Sequence, residues 1–110
     1  MKREDVAGDA PVLQALGLCA KAGRLVFGVP MICEMLKKGK KPFLVLTASD
    51  NAQNTAKRLR DRCAFYAVPL IALAWSGEEL ARAVGKSAHL AAVAVTDENL
   101  SVLVAKKLQN

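Results

Sequence analysis

Phe43-Leu44-Val45-Leu46 is an unbroken apolar run of strand length, and Leu70-Ile71-Ala72-Leu73 and Leu90-Ala91-Ala92-Val93-Ala94-Val95 repeat the pattern further along. A strand that is apolar at every position, not at every second one, needs cover on both faces. The segments between these runs supply that cover. Asp9 followed by Pro11 is a helix start, with a capping oxygen and a proline whose missing N–H costs nothing there. Val12, Leu13, Leu16, Cys19 and Ala20 form the apolar face of this first helix, which Gly23 ends. Leu25-Val26-Phe27 is a short strand broken by Gly28, and Pro30 sits in the first turn of a second helix that runs to about Lys38 and stops at Gly39. Ser49 or Asp50 is expected to cap a third helix, with Ala52, Ala56, Leu59 and Cys63 inward and Lys57, Arg58, Arg60 and Arg62 outward. Ser76-Gly77-Glu78-Glu79 is a capping box opening a short helix that ends at Gly85. Asp97 starts a last helix with Leu100, Leu103, Val104 and Leu108 inward. The expected architecture is therefore α/β: a three-layer α/β/α sandwich around a mainly four-stranded mixed sheet.

The 110 residues, 53% apolar, suit a single domain spanning 1–110 with its own core. Cys19, Cys33 and Cys63 are odd in number and lack metal or disulfide spacing, so they read as buried thiols in a reducing cytoplasm. Met1-Lys2-Arg3-Glu4-Asp5 does not read as a leader, and no apolar run approaches the roughly 18 residues of a membrane span. The net charge of +6 is uneven: residues 1–62 hold 12 of the 16 Lys and Arg but 6 of the 10 Asp and Glu. An excess confined to one part of the chain attracts a polyanion, and nucleic acid is the commonest one in a cytoplasm.

Groups for catalysis are scarce. His89, the single histidine, begins an apolar strand without a metal-spaced partner and reads as a strand-end residue. Glu78 and Glu79, like Asp97 and Glu98, are explained by helix starts. Gly85-Lys86-Ser87 echoes the end of a phosphate-binding loop without its earlier glycine, and Trp75 reads as a packing residue. No catalytic residue, metal site or cofactor is expected. Lys37-Lys38-Gly39-Lys40-Lys41 straddles a helix end where cations are favoured, and the Lys57–Arg62 cluster reads as a solvated helix face. A sparser set differs: Lys21 and Arg24 precede the Gly28 turn and Lys86 follows Gly85, so a cation stands beside backbone that a partner can approach closely.

The string from Leu16 through Lys21-Ala22-Gly23-Arg24 to Phe27-Gly28, followed by a helix and Gly39-Lys40, resembles the kink-turn-binding ribosomal protein superfamily, and most of all its bacterial YlxQ-type members. Thr47 to Asn51, Asn54-Thr55 before a basic helix, and Leu80 to Lys86 before a strand ending at Thr96-Asp97 extend the likeness over nearly the whole chain. The resemblance implies the same sandwich and a partner of structured RNA, ribosomal or another kinked duplex. It places one contact site at Gly28, Val29, Pro30 and Met31, and a second at Ala83, Val84, Gly85, Lys86 and Ser87. In relatives the first reads sheared guanine–adenine pairs, the second adds apolar and backbone contacts, and the position of Arg24 is often basic. Where familiar kink-turn readers carry Asn-Glu and then Lys, this chain has Pro30, Met31 and Glu34, and the first glycine of the second motif is Ala81. Proline has no N–H to offer and methionine only a weak acceptor.

The expected function is that of a non-catalytic RNA-binding protein in translation or ribosome biogenesis, monomeric, cytoplasmic and off the membrane, with ribosomal proteins as further partners. The alternative is a protein–protein interaction module that kept the fold but lost kink-turn recognition. An apolar helix start at Pro30 and Met31 suits a protein interface.

Overall fold

The computed structural model describes residues 10–109. In chain order they form α1 (Ala10–Lys21), β1 (Leu25–Phe27), α2 (Val29–Lys37), β2 (Leu44–Thr47), α3 (Gln53–Phe65), β3 (Leu70–Ala72), α4 (Gly77–Ala83), β4 (Ala92–Val95) and α5 (Glu98–Gln109). The strands make one mixed sheet in the order β1-β4-β2-β3, with β4 antiparallel to both neighbours and β2 parallel to β3. The architecture is the expected three-layer sandwich. Asp9, the expected cap of the first helix, lies outside the described residues.

Strand alternation divides the core in two. Leu44 and Leu46 of β2 with Val93 and Val95 of β4 face the layer of α1, α4 and α5, where they meet Val12, Leu16, Cys19, Leu80 and Val104. Val45, Ala92 and Ala94 face the other way and meet Ile32, Leu36, Leu59 and Cys63 of α2 and α3. Both central strands are therefore buried at every residue, which is why they read as unbroken apolar runs. Trp75 packs in the first cluster almost without exposure, and its indole N–H has no acceptor among the described residues.

Three expectations need correction. Phe43 is not part of β2: its N–H still bonds the Val95 carbonyl at 2.9 Å, but its ring is 45% exposed. Leu70 to Leu73 is not a buried strand but an edge, paired only with β2, so Leu70 and Ile71 are half-buried and Ala72 exposed. Neither Ser49 nor Asp50 caps α3, whose N-cap is Ala52 without a side-chain bond. Asp50 serves a different helix. Its Oδ1 accepts the Gly77 N–H at 2.9 Å, in the first turn of α4, while the Ser76 and Glu79 capping box forms there as expected.

Helices α1, α2 and α4 close at Gly23, Gly39 and Gly85, each with the next residue's N–H reaching back to the carbonyl five before it. Helix α3 closes in the same way at Ala67, which takes the left-handed φ of 59°. A Cβ in that region costs energy that glycine avoids. Ala67→Gly is expected to stabilise the protein by about 0.5–1 kcal/mol after the greater freedom of the unfolded glycine is subtracted. Urea unfolding checks this, and a lowered midpoint counts against it. No helix among the described residues is long and apolar enough to cross a membrane.

Candidate functional site

The two expected contact segments meet at one end of the sheet. Gly28, at the exit of β1, donates its N–H to the Ala92 carbonyl at 2.9 Å and accepts the Ile32 N–H at 3.1 Å, so it is at once the last rung of the β1–β4 ladder and the N-cap of α2. Its φ of 89° and ψ of 150° lie in a region open essentially to glycine alone. Helix α2 has no side-chain cap and no acidic residue in its first turn. Of its first three residues, Val29 and Met31 carry N–H groups without an intrahelical acceptor, and Pro30 carries none. Val29 is buried in the core cluster on the α2 and α3 side of the sheet, whereas Pro30 is exposed and Met31 is 59% exposed. The turn therefore presents backbone and an apolar surface.

The second segment leaves α4 through a tight reversal. The Gly85 N–H reaches the Arg82 carbonyl at 3.3 Å and the Lys86 N–H reaches Ala81 at 2.8 Å, which turns the chain toward β1. Lys86 Nζ then lies 4.4 Å from the centroid of the Phe27 ring, directly before Gly28. A cation over an aromatic face at this distance is attracted by the ring quadrupole. Gly85, Lys86 and Ser87 are exposed, Ala83 is half-buried and Val84 is buried in the core. Val29 and Val84 can thus offer a partner their backbone only.

Two residues of the expected set are elsewhere. The Arg24 carbonyl accepts the Thr96 N–H at the far end of β1, and Lys21 closes α1 at that same end. The three residues of β1 separate Arg24 from Gly28, four extended steps or about 13 Å. Both side chains are exposed, but the structure does not bring them to the Gly28 turn. Glu34, one turn into α2, lies 3.8 Å from Lys38.

One brace at this corner was not assigned a role from the sequence. The Asn51 amide donates to Thr47 Oγ1 at 2.8 Å and to the Ala91 carbonyl at 3.0 Å, tying the exit of β2 to the residue before β4. Ala91 adjoins Ala92, which holds Gly28, so Asn51 steadies the same corner. Nearby, His89 Nε2 lies 3.3 Å from Asp50 Oδ1, and its ring covers Gly77 so closely that a Cβ there would overlap it. The Gly77 N–H first, and the His89 ring after it, hold the Asp50 carboxyl below the usual carboxylate range. His89 is exposed at the start of its apolar segment, as its sequence position suggests.

Cys19, Cys33 and Cys63 are buried free thiols, and burial pushes Cys19 and Cys63 up, away from the thiolate form a nucleophile needs. Among the described residues no three of His, Cys, Asp and Glu are grouped to hold a metal ion.

A family model described as the Ribosomal protein L7Ae/L30e/S12e/Gadd45 family matches residues 10–105. Two bacterial proteins called RNA-binding protein YlxQ are similar. The one from Bacillus subtilis (strain 168) is 34% identical over 86 residues, 78% of this chain and 83% of that protein. The one from Enterococcus faecium is 30% identical over 74 residues, 67% of this chain and 70% of that protein. Among solved structures, a protein of unknown function from Bacillus halodurans superposes with a TM-score of 0.81 at 29% identity, covering 90% of this chain and 97% of that one. The Giardia lamblia 15.5kD RNA binding protein superposes with a TM-score of 0.74, covering 94% and 86%; at 21% identity this likeness is one of fold.

Proposed function

The chain belongs to the Ribosomal protein L7Ae/L30e/S12e/Gadd45 family, and from that premise we propose that it is a non-catalytic RNA-binding protein whose contact surface joins the Gly28 turn to the Gly85 loop. The observation that carries this reading is the Lys86 ammonium over the Phe27 ring at 4.4 Å. It sets a cation between two stretches of exposed backbone, beside a helix N-terminus that no side chain caps. Backbone N–H groups and the positive end of the α2 dipole suit a phosphate, and Lys86 adds a full charge next to them. Recognition then rests on the shape of a structured RNA, a kinked duplex above all, with phosphate neutralisation and no bond made or broken. The names of the two YlxQ relatives support the RNA partner. Buried free thiols fit a reducing compartment such as the cytoplasm, and the ribosomal proteins in the family's description support a role in translation or ribosome biogenesis.

The test is binding of a kink-turn RNA and of a straight duplex across a salt series. If about five phosphates are neutralised, log affinity falls with log salt at a slope of about −4. Lys86→Gln is expected to weaken binding and lower the steepness of that slope by about 1. Salt-insensitive binding that does not distinguish the two RNAs would sink the reading.

A second reading, a protein-docking module that kept the fold, is favoured by one observation: Met31 is 59% exposed beside an exposed Pro30, where polar side chains would be needed to read bases.

A further inference from the structure

The positive excess has a direction in the folded protein that the linear sequence conceals. Helices α2 and α3 form one layer, and both run from the Gly28 end of the sheet to the end where β2 and β3 begin. The Lys37–Lys41 run leaves α2 at that second end, and Lys57, Arg58, Arg60 and Arg62 line the outer side of α3. The acids on these two helices are Glu34 and Asp61, and each faces a lysine four residues away: Lys38, the C-cap of α2, at 3.8 Å and Lys57 at 2.8 Å. Exposed pairs of this kind contribute little to stability. They do, however, leave α3, with one acid against Lys57, Arg58, Arg60 and Arg62, a clear positive excess. The Lys57 ammonium is also what holds the Asp61 carboxyl below its usual range.

A second observation lies at the C-terminal end of the same face. Phe65 is 80% exposed, and its ring stands edge-on to Tyr66 with centroids 4.9 Å apart and planes at 84°. Tyr66 is half-buried against the core cluster of α2 and α3, so the T-shaped contact steadies the phenylalanine ring, while its exposure leaves a ring face open to a partner. Two shallow depressions run along this part of α3. One is lined by Asn54, Lys57, Arg58, Asp61 and Arg62, and the next by Asp61, Arg62, Phe65 and Tyr66, so they join at Asp61 and Arg62.

Cations in a row that ends on a rigid, free aromatic face are the two elements of a single-strand binding surface: charge follows the phosphates and the ring stacks an unpaired base. A paired duplex has no free base face to offer Phe65, and an acidic protein surface has no need of one. We propose that the C-terminal half of α3 is a second RNA contact, taking a single-stranded segment with its phosphates on Arg58 and Arg62 and one base stacked on Phe65. It lies about 20 Å, the length of α3, from the Gly28 end of the layer. A structured RNA held at the Gly28 turn therefore reaches it only with an unpaired extension. The RNA partner rests on the function proposed above, but the surface itself can be tested alone.

The experiment measures fluorescence anisotropy of a labelled oligouridylate of about ten nucleotides, within the span such surfaces cover. The proteins compared are wild type, Phe65→Ala and the double variant Arg58→Gln/Arg62→Gln. Arg58 and Phe65 are exposed and Arg62 is half-buried on α3, none of them in the core, so unfolding midpoints, measured alongside, should move little. Phe65→Ala should cost about tenfold in affinity. The double variant should flatten the salt slope by about 1.4, two phosphates' worth for a single strand. A tailless kink-turn RNA is run in parallel and should bind all three proteins alike, while the same RNA with a single-stranded tail should gain affinity with wild type only. Absence of oligouridylate binding, or binding with the same affinity and slope in all three proteins, overturns the second contact. Failure of wild type to bind the tailless RNA overturns the Gly28 surface instead and leaves the oligouridylate result to decide α3.

Discussion

Gly28→Ala is expected to lower unfolding stability by about 2 kcal/mol and to remove most of the affinity for structured RNA. At φ 89° and ψ 150° an alanine meets a backbone region that side-chain-bearing residues essentially avoid, at a cost on the order of 1–3 kcal/mol. Space is not the cause, since a Cβ at this position would find only Pro30 Cδ, at an ordinary 3.8 Å. Relief of the strain must come from rotating the backbone. That rotation disturbs the bond to Ala92 or the one from Ile32, and with them the direction in which α2 presents its first N–H groups. Stability and binding should fall together, as urea unfolding and RNA titration can measure. A variant that unfolds at the wild-type midpoint would show that the turn does not need this conformation. One that is destabilised yet binds normally would remove the turn from the interface.

Pro30→Asn with Met31→Glu is expected to raise affinity for a kink-turn RNA by on the order of a hundredfold, at roughly tenfold or more per restored base contact. Both residues are exposed in the first turn of α2, so the change disturbs no core packing. The lost rigidity of proline costs about 0.4–1 kcal/mol of stability, too little to unfold a domain of this size. The gain should be confined to RNAs with sheared guanine–adenine pairs, and a straight duplex should respond little. Equal affinity before and after the change would mean that the Gly28 turn does not face bases, and it would favour the protein-docking reading of Met31.

The features legible in the sequence were those decided within a few residues. Leu25–Phe27 is a strand between two glycines, and Ser76 with Glu79 makes both bonds of its capping box. Continuous burial of β2 and β4 followed from their unbroken apolar runs. What escaped depends on partners far along the chain. Asp50 has the composition of a helix cap for α3, yet Gly77, 27 residues later, takes its carboxylate. Leu70–Ala72 looks like a central strand because apolar runs do not reveal which strand stands at the edge. At the site, Gly28 and Gly85 were visible as breaks, but nothing local says that Lys86 comes to rest on Phe27. Lys21 and Arg24 looked close to Gly28 for a related reason. Three residues are few in a sequence, but as an extended strand they carry the chain from one end of the sheet to the other.

The position of β4 constrains how the protein is made. It is the last strand to be synthesised and yet sits inside the sheet, where Leu25 and Leu44 both pair with Val95. Until it emerges, β1 has no neighbour and β2 has only the edge strand, so neither half of the core can close on a finished sheet. Pairings this distant in sequence are slow to form, because the intervening loop must be ordered first. The Gly28 N–H meanwhile lacks the Ala92 carbonyl that fixes it. The nascent chain therefore carries its basic helices before the Gly28 corner is assembled, so the RNA surface proposed above is complete only once the central strand is inserted.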